Sequence, residues 1–214
     1  MGSPSAGFCN FPNSNEDYYI LGLWCADGYH WTSSIGLSNI DLVLIQKFRN
    51  FLSRLFPKDR IKLGQYTTGK RKYVGYKLYV NCRALLRIFK AFKGSSERKL
   101  SDAEAIKAYI AGRFDGDGCI SKDLKRDCRI SYGNENDARL DADLLKEIGI
   151  IPKIYRYRTS NTFVIYISRF DTKKFIDTIN KYSVKLQKLA LGSRRDSDYT
   201  EIVRMATNIK NILS

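Results

Sequence analysis

The chain is short of metal-binding side chains. It has one histidine, His30, and five cysteines, Cys9, Cys25, Cys82, Cys119 and Cys128, no two of which form a CxxC pair. Structural zinc sites draw on clustered Cys and His, so a zinc-built fold is not expected. Scattered cysteines read instead as reduced thiols that act as small hydrophobes. Long apolar runs are also missing. A membrane helix needs roughly 20 such residues, and the longest candidate, Tyr18 to Ala26, is half that. No basic residue precedes Lys47. Secretory signals need a positive start and transit peptides need early arginines, so an intracellular protein is expected, cytoplasmic or nucleoid-associated. Residues 1–15 read as a tail, its first seven rich in Gly, Ser and Pro.

Acidic residues are the other shortage: 22 Asp+Glu against 37 Lys+Arg in 214 residues, a net charge of +15. The excess is spread out, with a net +10 over residues 1–100 and +5 over residues 101–214. A basic tail would concentrate it. A broad positive surface implies a polyanionic partner, most simply nucleic acid. Hydrophobic residues make up 43% and aromatics 13%, enough for a real core.

The chain does contain a repeat. Tyr19-Ile20-Leu21-Gly22-Leu23-Trp24-Cys25-Ala26-Asp27-Gly28 returns as Tyr109-Ile110-Ala111-Gly112-Arg113-Phe114-Asp115-Gly116-Asp117-Gly118, an offset of 90. The segments after the two decamers also match. In the first half Tyr29 to Leu37 is strand-like, and Ile40 to Leu55 carries apolar residues at helical spacing up to Pro57. Two strands, Ile61 to Thr67 and Tyr73 to Val80, flank the turn Thr68-Gly69-Lys70, and Ala84 to Phe92 is a short helix. In the second half, strands over Cys119 to Lys122 and Cys128 to Tyr132 precede a helix over Asp137 to Ile148, stopped by Gly149 and Pro152. A hairpin over Lys153 to Arg158 and Thr162 to Ser168 comes next, then helices over Asp171 to Ile179 and Thr200 to Leu213. The predicted fold is α+β: two pseudo-symmetric αββαββα halves at 16–92 and 102–214, with 93–101 as linker.

With each decamer placed on a helix, Gly22 and Ala26 share one face, as do Gly112 and Gly116. Small residues four apart let two helix backbones meet closely. Each mid-helix glycine costs about 0.5–1 kcal/mol against alanine, so matched glycines suggest that the two helices pack on each other. Gly28 and Gly118 read as left-handed residues just past each helix. Asp27 and Asp117 then stand at helix C-termini, where a carboxylate opposes the dipole. Two such acids at one end also repel each other. The arrangement makes sense if divalent cations bind between them, and carboxylates with water and phosphate oxygens suit Mg²⁺.

The two decamers resemble the paired motif of the LAGLIDADG homing endonucleases, over nearly the whole chain from about residue 16. The resemblance implies a monomer with pseudo-twofold symmetry. Its motif helices meet at the interface, and its antiparallel sheets saddle the major groove of double-stranded DNA. It further implies Mg²⁺- or Mn²⁺-dependent cleavage of both strands at a long, nearly palindromic site, with short 3′ overhangs, in the setting of intron homing. The metal site that the resemblance implies consists of Asp27 and Asp117 with Gly28 and Gly118. A lysine late in each half maps to Lys99 and Lys185, and an active-site polar residue to Asn39 and Asn134. Cys25 stands where the family often has an acid, whereas Asp115 keeps it; Arg113 replaces an apolar residue.

DNA reading falls to the sheets. Alternation puts Val74, Leu78 and Val80 inward and Tyr73, Lys77 and Tyr79 outward; in the second half Phe163, Ile165 and Ile167 face in, and Thr162, Val164 and Tyr166 face out. Arg156 and Arg158, with the loop residues Lys70, Arg71, Lys72, Lys122, Lys125 and Arg126, complete the expected DNA contacts. His30 reads as a polar residue at a strand start. The alternatives are an RNA maturase acting on intron RNA and a non-cutting DNA-binding regulator of the same fold. Neither needs two acids at opposed helix ends.

Overall fold

A computed structural model describes residues 11–68, 73–120 and 127–192. Two helices form its spine: α1 (Asn15–Asp27) and α4 (Ala103–Asp117). Ser14 caps α1 by accepting from the Asp17 amide, and Asp102 caps α4 by accepting from the Ala105 amide. Both are buried almost all round, from Tyr19 to Cys25 and from Tyr109 to Asp115. They are core helices without a polar face.

They bury that surface against each other. A Cβ on Gly22 would lie 2.0 Å from the Tyr109 carbonyl oxygen, and one on Gly112 would lie 2.0 Å from the Tyr19 carbonyl oxygen. At Gly116 a Cβ would meet Ala26 Cβ at 2.3 Å. Backbone therefore touches backbone at the crossing.

Each spine helix leads into a four-stranded antiparallel sheet. The first contains β1 (Gly28–His30), β2 (Ser34–Asn39), β3 (Lys62–Thr68) and β4 (Tyr73–Asn81), in the order β1-β2-β4-β3. The second contains β5 (Gly118–Ile120), β6 (Cys128–Tyr132), β7 (Lys153–Tyr157) and β8 (Thr162–Ile167), in the order β5-β6-β8-β7. The single strand expected over Tyr29 to Leu37 is a tight hairpin: Trp31 to Ser33 lie between β1 and β2, and the Trp31 amide donates to the Ser34 carbonyl.

Helices cover one face of each sheet. α2 (Leu42–Leu55) packs Leu44, Ile45, Phe48, Phe51 and Leu52 inward, and α3 (Arg83–Lys93) packs Leu85, Leu86 and Phe89. In the second half α5 (Glu135–Glu147) and α6 (Thr172–Ile179) play these parts. A seventh helix, α7 (Val184–Gly192), is not among those expected from the sequence, although Ser183 just before it accepts from the Leu186 amide as a cap. The helix expected over Thr200 to Leu213 lies outside the described residues.

The register makes the halves comparable strand by strand. Gly28 opposes Leu37, which opposes Leu78; Gly118 opposes Ile130, which opposes Ile165. Leu37 is thus the counterpart of Ile130.

Close packing at the crossing sets a test. Gly22→Ala should destabilise the protein by at least about 1–3 kcal/mol in chemical denaturation, because backbone cannot yield as a side chain can. Gly64→Ala, where an added Cβ meets nothing within 4 Å, is the matched control and should change little.

Candidate active site and nucleic-acid face

The spine helices end together on the acids. Asp27 is the last residue of α1 and Asp117 the last of α4, and a Cβ on Gly116 would lie 3.0 Å from Asp27 Oδ2. Burial, then the charge of Asp117, pushes the Asp27 carboxyl up to about 6, against the Asn39 hydrogen bond, Lys185 and Arg113. Asp117 is also raised by burial, against Arg113, Lys93 and Lys185. Two half-buried acids thus stand at the wrong end of two dipoles.

Gly28 and Gly118 directly follow them but are not left-handed. Their φ values are −67° and −85°, both with extended ψ. Glycine is required there by crowding. A Cβ on Gly28 would lie 2.5 Å from the Trp24 ring, and one on Gly118 would lie 2.3 Å from the Phe114 ring.

Basic groups reach both acids. Lys185 Nζ donates to the Phe114 carbonyl at 3.0 Å and to the Gly118 carbonyl, and sits over the Phe114 ring. Its counterpart is Lys93, whose Nζ donates to the Cys25 carbonyl at 3.0 Å and sits over the Trp24 ring. Lys99, expected in that place, is not there. Its side chain is 85% exposed and pairs with Glu97 at 2.7 Å. A lysine late in the first half describes both Lys93 and Lys99, and only the structure shows that Lys93, at the end of α3, reaches the end of α1.

Asn39 Nδ2 donates to Asp27 Oδ2 at 2.7 Å. The register gives Asn39 the counterpart Tyr132, not Asn134: Asn39 opposes Tyr76, and Tyr132 opposes Phe163, each two residues past the matched Leu37 and Ile130. Asn134 is two residues further on, capping α5 through the Asp137 amide and donating to the Asp137 carboxylate at 2.7 Å. Asp117 instead meets Arg113, Nη1 to Oδ2 at 3.6 Å.

The motif asymmetry between Cys25 and Asp115 has a structural cause. Asp115 is buried, accepting from the Tyr19 hydroxyl at 2.6 Å, the Val184 amide at 2.7 Å and the Lys185 amide at 3.1 Å. It caps α7 across space and so positions Lys185. Cys25 has no such helix to hold. Arg113 belongs to a second buried cluster around Asp141, which is 0% exposed. Asp141 accepts from Arg98, from Arg113 Nε at 3.2 Å, and from the Tyr109 and Tyr132 hydroxyls at 3.1 and 3.0 Å.

The uncovered faces of the sheets hold the expected strand residues Tyr73, Lys77, Tyr79 and Tyr166. Residues directly opposite each other share a face, which adds Lys62 (opposite Tyr79), Lys153 (opposite Tyr166) and Arg129 (opposite Tyr166). Lys62 and Lys153 are the first residues of β3 and β7, and their hairpin partners are needed to fix the face. Arg156 opposes the inward Phe163 and lies over its ring, so it is on the helix side, not the open side. Arg158 is exposed in the β7–β8 turn. Val74 is half exposed beyond the core edge, and Val164, expected outward, is 6% exposed beside Tyr155. Lys70, Arg71, Lys72, Lys122, Lys125 and Arg126 lie outside the described residues.

Two sheets joined by acid-ended helices place the protein among two-motif α+β proteins. The chain belongs to the LAGLIDADG-like domain family, which matches residues 14–92 and 104–180. A DNA-directed RNA polymerase subunit Rpo1C of Methanocaldococcus jannaschii is 25% identical over 215 aligned residues, covering 94% of this chain; the chain spans only 24% of that relative's length. The fold is similar to that of the homing endonuclease I-DmoI in complex with DNA and Mn (TM-score 0.57, 21% identity, 77% of this chain and 96% of that one). It is equally similar to full-length DUF199/WhiA from Thermatoga maritima (TM-score 0.59, 19% identity, 94% of this chain and 70% of that one). Among the described residues no helix is long and apolar enough to cross a membrane.

The raised Asp27 carboxyl has a stability consequence. Its folded pKa of about 6 exceeds the ordinary 3.8, so ionisation in the folded state costs stability, and that loss grows as pH rises from about 4 to 6. Asp27→Asn should therefore melt above wild type at pH 7.5 in chelator and match it near pH 4. An equal shift at both pH values would mean that repulsion at this acid is not the cause.

Proposed function

We propose that this protein is a site-specific, metal-dependent endonuclease that hydrolyses one phosphodiester in each strand of double-stranded DNA. The observation that carries this reading is the pair Asp27 and Asp117, held half-buried at two helix C-termini in a chain of net charge +15. A protein that only bound DNA would be more stable with amides there. Residues 16–92 and 102–214 are read as its two repeats, joined by 93–101, working as a monomer with pseudo-twofold symmetry. Recognition of a long site, short 3′ overhangs and an intron-homing role belong to the same reading.

The donor set fits a hard divalent cation, Mg²⁺ or Mn²⁺. It has two carboxylates whose charge the neighbouring cations offset only in part, no thiol or imidazole among the described groups that act on them, and room in this reading for phosphate oxygens and water. When bound, such an ion activates water and offsets charge on the attacked phosphate and the leaving oxygen. The protein supplies the rest. Asn39 fixes the Asp27 carboxylate by its amide. Lys185, moored to two carbonyls at the end of α4, and Lys93, moored to one near the end of α1, place ammonium groups where phosphate charge builds. Burial lowers the Lys185 pKa, opposed by Asp115, Asp27 and Asp117.

A second reading, a binding protein of this fold acting on DNA or intron RNA, is favoured by one contact. Arg113 already stands 3.6 Å from Asp117, a countercharge that Asp27 does not have at that range among the described residues. The two readings separate experimentally. Asp27→Asn with Asp117→Asn should abolish double-strand breaks in Mg²⁺ while binding persists. Undiminished cutting would remove the acids from the chemistry, and a wild type that binds a selected duplex but never cuts it would favour the second reading. Binding should weaken steeply with salt because several phosphates are neutralised.

The lysine assignment has its own test. Lys93→Met and Lys185→Met should each slow single-turnover cleavage by about tenfold or more, while Lys99→Met leaves the rate unchanged. A slow Lys99 variant beside a normal Lys93 variant would reverse the placement.

A further inference from the structure

The open faces can be compared position by position, because both sheets have the same strand order and a matched register. Several counterparts agree: Lys62 with Lys153, Ser38 with Ser131, Tyr66 with Tyr157, and Tyr79 with Tyr166. Two do not. In the first half Tyr29 opposes Gly36, and in the second Cys119 opposes Arg129. In the first half Ser38 opposes Lys77, and in the second Ser131 opposes Val164.

Each difference is built into its surroundings. A Cβ on Gly36 would lie 2.6 Å from the Tyr29 ring, so Tyr29 covers that position and leaves no room for a longer side chain. Arg129 instead has an open position. Its side chain is 45% exposed, and its Nε donates to Asp127 at 2.5 Å. The Tyr166 ring lies 5.9 Å below the guanidinium carbon. A guanidinium held through Nε keeps both terminal nitrogens for a second partner. That fork matches two acceptors side by side, as guanine O6 and N7 present in the major groove. Lys77, on the third strand out from the spine, extends over the Tyr66 ring at 5.0 Å. Its counterpart Val164 is buried beside the edge-to-face pair of Tyr155 and Tyr166, which leaves no cation there.

We propose that Arg129 is a specificity-determining residue that reads a guanine in one half of the DNA site, and that the other half has no equivalent requirement. The site is therefore broken from twofold symmetry beneath the second strand from the spine. Lys77 breaks it again, one strand further out and in the opposite half. The inference rests on the DNA-binding part of the function proposed above and is independent of cutting.

The test is selection of bound duplexes from a randomised library with Ca²⁺, using wild type, Arg129→Ala, Arg129→Lys and Lys77→Ala. For wild type, one guanine should be enriched in one half only. Arg129→Ala should lose preference at that base pair by roughly 5- to 100-fold, the worth of one bidentate contact, with the rest of the site unchanged. Arg129→Lys keeps the charge and loses the planar fork, so it should bind nearly as well with a guanine preference between those of wild type and Arg129→Ala. Lys77→Ala should relax a different position in the other half. A uniform loss of affinity with the guanine retained would make Arg129 a phosphate contact and overturn the proposal. Equal guanine enrichment in both halves would overturn it too. Failure of wild type to select any duplex would overturn the DNA-binding reading itself and this inference with it.

Discussion

The contact of α1 with α4 is the constraint on which the rest of the molecule depends. Gly22 and Gly112 bring each helix backbone against the other's carbonyl oxygen, leaving no layer of side chains between them. Because each helix runs directly into the first strand of its sheet, the crossing fixes where both sheets begin. It also brings Asp27 and Asp117 to one end of one seam. A larger residue at the crossing would therefore move a pair of acids and two groove faces at once. That coupling explains why a helix propensity cost is accepted twice at the same register.

Charge then distinguishes the halves that packing makes alike. On one side a buried carboxylate, Asp115, caps α7 and so holds Lys185 by its backbone. On the other, Arg98 leaves the chain just past α3, is buried, and crosses to Asp137 and Asp141 in the second half. Arg113 completes that cluster and lies over Tyr132. Removing one member of such a cluster strands a buried charge, a cost of about 3–5 kcal/mol, whereas the intact cluster adds little net stability. Its value is in pairing. If two second halves met through α4, two copies of Arg113 would be buried along the same seam. The cluster thus favours the first half as the partner of the second.

Much of this was legible in the sequence because the repeat is carried by backbone requirements. The glycines, the helix-ending acids and the strand order reappear because each half must satisfy the same crossing. The features that could not be read have physical causes. Gly28 and Gly118 looked like left-handed helix stops, but the residues that demand glycine are the rings of Trp24 and Phe114, four positions back. Asn134 looked like the partner of Asn39, but cross-strand register assigns that place to Tyr132, and register is invisible in a single strand. Lys99 fits a lysine late in the first half, but Lys93 is the one that the end of α3 brings to α1. α7 has a local start signal in Ser183, which accepts from the Leu186 amide, but its cap is completed by Asp115, nearly 70 residues earlier, which accepts from the Val184 and Lys185 amides.

The acids and the basic surface are parts of one electrostatic arrangement. Alone, two carboxylates at helix C-termini in a half-buried site favour protonation, and Asp27 is pushed up to about 6. Lys185, Lys93 and Arg113 counter this only in part, and the lysines are committed to backbone carbonyls at the helix ends. The two acids therefore keep negative charge that the neighbouring cations do not fully compensate. The open faces carry the opposite sign, with Lys62, Lys77, Arg129 and Lys153 over a floor of glycine, serine and tyrosine. A polyanion drawn to those faces brings phosphates toward Asp27 and Asp117 at the end of the seam. Without a cation the two would repel. In the function proposed above, a divalent ion between the acids reconciles attraction at the faces with repulsion at the seam.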